Sequence, residues 1–334
     1  MSDKIILPIP GNTPIVEHTG LFGVQKLFSK DETKNPTFTF KDRLAYEMVR
    51  PIAESINTKT DFRKTTFASI SYGNTAFSMG YYSNILNKSA GENLVNAVAF
   101  VPPNLKEKTY GPNTEGKSVA TSKILEKIKE NCSIVEIDLK KQIYRSNDLE
   151  KIARESNLVP DEFIDITEGL NRPAYVNIII EAVEQQLKFA PDYVIVPFGA
   201  GILCNEVIDY VNDKKLKTKV IPVSSGDPNT IAIMLYGPIW VDIDSLLKNG
   251  NGWTKHESID KKGRKREQYL VHHVTDEEIL STMEILKQHN ISAEASGASG
   301  FALLPRLKTI DPEFDPQNHS VLVINTGNGL LNFS

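Results

Sequence analysis

The sequence predicts an α/β protein of two doubly wound domains, each a parallel-type sheet covered by helices. Three observations carry that expectation. Short β-branched runs alternate with amphipathic helical periods, the pattern of strands joined through helices. The runs are apolar almost throughout rather than at every second residue, as in strands buried on both faces. A length of 334 residues suits about two domains, each with its own core.

Taken in order, a helical pattern begins at Lys41, directly after the loop "NPTFTF". "TTFASI" (65–70) reads as a strand, followed by the helical period "NTAFSMGYYSNIL" (74–86). "NAVAFV" (96–101) and "SIVEID" (133–138) are β-branched strands on either side of the helix "KSVATSKILEKIKE" (117–130). The helix "YVNIIIEAVEQQL" (175–187) leads to the strands "YVIVPF" (193–198) and "KVIPVS" (219–224). Segment 237–275 breaks the rhythm with "NGNGW" and "KKGRKRE" and reads as an excursion with a hairpin. Its basic run is expected to be a solvated turn rather than a nucleic-acid patch. "DEEILSTMEIL" (276–286) is helical, and "SVLVIN" (320–325) is the closing strand.

Composition narrows the function classes. Hydrophobic residues make up 40% and charged residues 24%, and 42 acids against 38 bases leave a net charge of −4. That balance gives no general attraction to nucleic acid or to an anionic membrane. "MSDKIILPIPGN" holds too few apolar residues before Pro8 for a secretory signal, and no apolar run approaches a membrane span. A cytoplasmic protein is expected. Cys132 and Cys204 have neither metal-ligand nor redox spacing and read as reduced core thiols, with a disulfide the alternative. His18, His256, His272, His273, His289 and His319 show no ligand spacing, so no metal is assigned. "GPNTEGKS" (111–118) matches the P-loop expression, but that loop needs a strand ending at its first glycine. Pro102-Pro103 and seven more residues intervene after "NAVAFV", so the segment reads as a long connection.

The strand ends are the most informative places. "ASISYGNTA" and "VPFGAGILC" each run from strand through a glycine turn into helix, and "VINTGNGLL" runs from strand into turn. Ligands of open parallel sheets bind at the carboxyl ends of strands. A glycine turn that opens a helix aims backbone N–H groups and a positive dipole end at an anion. At a fourth junction, "NPTFTFKDR" (35–43), Lys41 follows Phe38-Thr39-Phe40 and precedes Asp42 and Arg43, which pair or cap at the helix start. Aromatic neighbours desolvate an amine and ease its loss of charge, which suits a reacting lysine. A stem that snorkels its amine out to water is the alternative.

In order along the chain, six segments resemble motifs of one family, the fold-type-II, tryptophan-synthase-β-like pyridoxal-phosphate enzymes. "GNTPIVE" (11–17) resembles G-x-T-P-L, "NPTFTFKDR" resembles N-P-T-G-S-F-K-D-R, and "SYGNTA" (71–76) resembles S-S-G-N-x-A. "VPFGAGILC" (196–204) is similar to the glycine-rich phosphate cup, "EASGASGFALL" (294–304) to E-P-S-G-A-x-x-x-A-L, and "NTGNGLL" (325–331) to T-G-x-G-L-K. The N-P-T…F-K-D-R form, the closing T-G-N-G-L and "VTDEEI" (274–279) most resemble the threonine synthases.

The resemblance implies a large cofactor-binding domain (1–44 and 151–334), a smaller mobile domain (45–150), and pyridoxal 5'-phosphate in the cleft between them. Lys41 would hold the cofactor through its amine and then shuttle protons. Asn74 would donate to the cofactor's ring oxygen, and Ser71, Gly73, Asn74 and Thr75 would bind the substrate carboxylate. Gly199, Ala200, Gly201, Ile202 and Leu203 would cradle the phosphate, and Thr326 would face the pyridine nitrogen. Glu294 to Gly300 would let backbone approach the cofactor's far edge. Each also has a plain structural reading: a helix cap at Asn74 or Glu294, a crossover turn at 199–203, a turn hydroxyl at Thr326. A hydroxyl does not keep the ring nitrogen protonated as a carboxylate would. The ring is then a weaker electron sink, which suits elimination or replacement at the β or γ carbon.

Some positions depart from the family pattern. Phe38 and Thr39 stand where glycine and serine are usual, narrowing the space beside Lys41. Tyr72 replaces the second serine of the carboxylate loop, and Ile202 brings a β-branched residue, which resists positive φ, into the phosphate cup. In "EGLNRPAYVN" (168–177), Arg172 is the candidate cation for a phosphorylated substrate, and otherwise a surface arginine. The expected function is threonine-synthase-like conversion of O-phosphohomoserine to threonine and phosphate. The alternatives are serine/threonine dehydratase, cysteine-synthase-like β-replacement, or a binding or regulatory protein that keeps the fold. A small amino-acid substrate and a homodimer are expected, with neither nucleic acid nor membrane as partner.

Overall fold

The computed structural model describes residues 4–71, 73–101, 126–138, 144–167, 173–225, 230–232, 235, 255–259, 265–269 and 271–328. It is an α/β structure of parallel sheets flanked by helices, as the alternating pattern predicts. The chain divides into two compact units, one of residues 1–10, 35–174 and 329–334, the other of residues 11–34 and 175–328. The 45–150 span expected to form a smaller domain falls inside the first.

Two strands that the periodicity did not reveal come first, β1 (Ile15–Glu17) and β2 (Lys26–Asp31), and both belong to the second unit. The first unit is built on β3 (Thr65–Ile70), β4 (Val95–Val101), β5 (Ser133–Glu136) and β6 (Glu162–Asp165). Their order is β5-β4-β3-β6 and every pairing is parallel, with Thr65 opposite both Val95 and Glu162. Every residue of β3 is buried, which explains why "TTFASI" shows no alternation. Helices α1 (Lys41–Thr58), α2 (Asn74–Ala90) and α3 (Ser146–Glu155) belong to this unit. Residues 117–125 of the helix expected over 117–130, like the P-loop-like segment 111–118, lie outside the described residues.

Helix α4 (Pro173–Ile180) crosses from the first unit into the second, which continues with β7 (Tyr193–Pro197), α5 (Ile202–Asp213) and β8 (Lys219–Ser224). After β9 (Lys255–Ile259) and β10 (Lys265–Tyr269), an antiparallel pair where a hairpin was expected, come β11 (His272–His273), α6 (Asp276–Gln288), α7 (Ala295–Ala302) and β12 (Ser320–Asn325). The main sheet runs β1-β2-β12-β7-β8-β11 and is parallel except at β1. Val323, at its centre, pairs with Ser29 on one side and Ile195 on the other. The core lies between this sheet and α6 and α7, around Leu27, Ile195, Ile279, Phe301 and Val323.

The helix expected over 175–187 is α-helical only to Ile180 and widens to a π-helix over Glu181–Leu187. The wider turns bring polar side chains to the first strands. Buried Lys30 donates to the Glu181 carboxylate at 2.7 Å and to the Thr13 carbonyl. Gln186 accepts from the Ile15 N–H and donates to the Thr13 carbonyl at 2.8 Å. Glu32 accepts from the Thr13 hydroxyl at 2.6 Å. Both cysteines are free thiols. Cys132 donates to the Ala76 carbonyl, and burial pushes its thiol up to about 12. Among the described residues no helix is long and apolar enough to cross a membrane, and no His, Cys, Asp and Glu cluster suits a metal ion.

Candidate active site

In the first unit the site begins at the lysine loop. Lys41 is the first residue of α1, with Phe40 as the helix's N-cap. Its amine lies over the Phe40 ring, 4.4 Å from the centroid. Burial lowers its pKa to about 8, because a buried ammonium has lost most of its hydration. The Phe40 ring face attracts a cation, but a contact of about 1 kcal/mol only partly offsets that loss. The amine therefore loses its proton far more readily than a surface lysine.

The residues around Lys41 explain how the loop keeps its shape. Asp42, fully buried, accepts from the Thr37 N–H at 2.6 Å and from the Thr37 hydroxyl. It thus ties the loop back onto the helix start that it precedes. Thr37 shares a further hydrogen bond, 2.8 Å long, with the Ser78 hydroxyl in the first turns of α2. That bond joins the lysine loop to the helix opened by the 71–76 turn, where a carboxylate-binding loop was expected. Phe38 has φ +62°, a left-handed conformation that aromatic residues rarely adopt. Sequence reasoning expected a narrowed space here but not the backbone conformation.

Ser71 is buried at the end of β3, its N–H donating to the Phe100 carbonyl at 3.2 Å. Gly73, Asn74 and Thr75 are half-buried at the start of α2, where no side chain caps the helix. The orphan N–H groups of a first turn and nearby hydroxyls form a donor set suited to a carboxylate. Tyr72 and Arg172 lie outside the described residues.

The second unit places the other expected residues at the carboxyl ends of neighbouring parallel strands. Gly199 and Ala200 form a half-buried bend after β7, and Gly201 begins α5 with φ +79°. Ile202 and Leu203 are its first helical residues, and no side chain caps this helix either. The positive φ falls on the glycine rather than on Ile202, so the β-branched side chain is no obstacle to a cup of backbone amides. Thr326 is buried directly after β12, the strand that pairs with β7.

Behind Thr326, the 294–300 segment is fitted against the same strand end. The Glu294 N–H donates to the Gly327 carbonyl at 3.0 Å, and Asn325 donates to the Ser292 carbonyl at 2.9 Å. A Cβ on Gly297 would come within 2.6 Å of the Asn325 side-chain oxygen and 2.8 Å of the Gly327 carbonyl. Only glycine permits that approach. Within each unit, then, the expected residues collect at strand and helix ends: an amine and a carboxylate-suited turn in one, an anion-suited helix start and a buried hydroxyl in the other.

A family model described as pyridoxal-phosphate dependent enzyme matches residues 6–327. Cysteine synthase B of Campylobacter jejuni is 38% identical over 69 residues, a match spanning 21% of this chain and 21% of that protein. The crystal structure of an O-acetylserine dependent cystathionine beta-synthase from Helicobacter pylori is similar over 100% of this chain and 96% of its own, with TM-score 0.61 and 17% identity. A hydrogen sulfide-producing enzyme from Fusobacterium nucleatum is similar over 98% and 97%, with TM-score 0.63 and 16% identity. The serine racemase of Dictyostelium discoideum is similar over 95% and 92%, with TM-score 0.60 and 18% identity. At these identities the structural likeness establishes the fold.

Proposed function

The chain belongs to the pyridoxal-phosphate dependent enzyme family, and from that premise we propose that it catalyses elimination or replacement at the β or γ carbon of an amino acid, with Lys41 as the cofactor-holding residue. The observation that carries this reading is the Lys41 amine, lowered by burial to about 8 at the head of α1. The residues present suit the cofactor. There is an amine that loses its proton readily, an uncapped helix start behind a left-handed glycine for the phosphate, and a buried hydroxyl for the ring nitrogen.

Pyridoxal phosphate, when bound, supplies an aldehyde that takes up amines and a ring that draws electrons from the adjacent carbon. Lys41 would hold it and, once displaced by the substrate amine, move the proton at the substrate's α carbon. Ser71, Gly73, Asn74 and Thr75 would orient the substrate carboxylate through hydroxyls and backbone N–H groups, and Asn74 would donate to the ring oxygen. Gly199, Ala200, Gly201, Ile202 and Leu203 would hold the phosphate on backbone amides. Thr326 would leave the ring nitrogen without a formal proton, which disfavours transamination.

Two finer readings remain within that reaction class. The "NPT…FKDR" and "TGNGL" segments favour a threonine-synthase-like conversion of O-phosphohomoserine, with Arg172 as the cation for its phosphate. The 69-residue match to a cysteine synthase favours β-replacement on a serine-derived substrate. Cofactor-loaded protein offered O-phosphohomoserine, O-acetylserine with sulfide, and serine or threonine distinguishes them by the release of phosphate, cysteine or ketoacid. Lys41→Ala is expected to abolish turnover and the visible absorbance of bound cofactor. A variant that keeps both overturns the assignment of Lys41.

A further inference from the structure

Helices α1 and α2 of the first unit are tied together at their starts by a line of hydroxyls. An ionised carboxylate only accepts, so the Thr37 hydroxyl spends its single proton on Asp42. Across the 2.8 Å contact between the two hydroxyls, Ser78 is then the donor and Thr37 the acceptor. The order from Ser78 through Thr37 to Asp42 is fixed by that count of protons. All three residues are buried, and Ser78 has no surface open to water that could compete for its bond. Asp42 directly follows Lys41 on α1, and Ser78 lies about one turn after Asn74 on α2. Further along α2 the Tyr82 ring packs edge-on against Tyr46 of α1, with centroids 6.1 Å apart. A ring contact tolerates sliding, whereas hydrogen bonds are directional, so the hydroxyl line sets the register between the two helix starts.

From this we infer that Ser78 is a positioning residue. Through Thr37 and Asp42 it sets the distance between the helix start that carries Lys41 and the turn that would take the substrate carboxylate. The inference rests on the proposed roles of those two places. Being wholly buried, Ser78 acts through other residues. A carboxylate held at the start of α2 fixes the substrate, the hydroxyl line fixes α1 against α2, and the Lys41 amine is thereby aligned with the α carbon. Proton transfer depends steeply on such alignment, and a misplacement of about 1 Å can cost about a hundredfold in rate.

The tie is read first in cofactor-free protein, by hydrogen exchange followed segment by segment. Ser78→Ala is expected to speed exchange of the 35–43 amides about tenfold, while the 50–58 amides of α1 keep the wild-type rate. In cofactor-loaded protein in heavy water, proton resonance then follows loss of the α proton from serine, O-acetylserine or O-phosphohomoserine. Ser78→Ala and Thr37→Val are each expected to slow that loss about tenfold at saturation, with half-saturating concentrations within about twofold of wild type. Thr37→Ser keeps the hydroxyl and should recover the rate to within about twofold. The double variant Ser78→Ala/Thr37→Val should be no slower than Thr37→Val alone, because one break already opens the line. An unchanged α-proton rate in Ser78→Ala, an equal loss in Thr37→Ser, or exchange raised equally along the whole of α1 overturns the inference about Ser78 alone. A wild-type protein that holds cofactor yet releases the α proton of none of the three amino acids overturns both this inference and the proposed function.

Discussion

The buried amine of Lys41 has a direct consequence for stability. Its pKa in the folded chain is about 8, against an ordinary 10.5, so between those values the unfolded chain binds more protons than the folded one. Stability from this group is therefore fully present above 10.5 and is lost as the pH falls through 8. In cofactor-free protein near neutral pH, Lys41→Met is expected to be more stable than wild type by roughly 2 kcal/mol, after allowing for the Phe40 ring face. The gain should vanish above pH 10.5, as read by urea denaturation across pH. Asp42 gives a second expectation. Asp42→Ala leaves the buried N–H and hydroxyl of Thr37 without their acceptor and should cost about 2–3 kcal/mol, with Asp42→Asn less severe. The same denaturation curves measure both. The sequence drew attention to Lys41 because a lysine directly after Phe38-Thr39-Phe40 at a helix start is unusual. It did not show that Asp42 reaches back five residues, since that depends on how the loop turns.

At the scale of elements, glycines and buried charges decide how close the pieces come. Gly297→Ala would drive a Cβ against the Gly327 backbone and should cost about 1–3 kcal/mol while displacing Thr326, visible as a lower thermal midpoint and weaker cofactor retention. Lys30 and Glu181 form a buried pair between β2 and the π-helix. Removing either partner alone, as in Lys30→Met or Glu181→Gln, should cost about 3–5 kcal/mol because the other charge stays buried. The double variant Lys30→Met/Glu181→Met should lose less than the two single losses added, which a double-mutant cycle measures. These elements were unevenly legible. "TTFASI", "KVIPVS" and "SVLVIN" coincide with β3, β8 and β12 because continuous apolar runs are typical of strands buried on both faces. "KLFSKD", which forms β2, passed unnoticed because Ser29 and Lys30 look exposed, although Ser29 is buried against the His18 imidazole and Lys30 against the Glu181 carboxylate. The π-helix was equally hidden, since its sequence has ordinary helical periodicity and only the reach to Lys30 and Thr13 favours the wider turn.

At the scale of the whole molecule, a cofactor that binds only the folded chain should stabilise it by mass action. Pyridoxal phosphate at about a hundredfold excess over its dissociation constant should add about 2.7 kcal/mol, seen as a rise in thermal midpoint that Lys41→Ala largely removes. No rise in wild type would count against the proposed placement of the site. The sequence by itself determined the α/β class, the order of most strands and helices, and the glycine turns at strand ends, because these follow from local periodicity and from φ values open to few residues. It also determined which chemical groups are present, through the types and spacing of Lys41, Asn74, Gly201 and Thr326. The tertiary structure alone decided that Lys41 is depressed to about 8, that the positive φ falls on Gly201 and not on Ile202, and that Phe38 is held in a strained turn. Those outcomes come from burial and from contacts between residues far apart in the chain. Local sequence encodes a propensity for them but not the neighbours that enforce them.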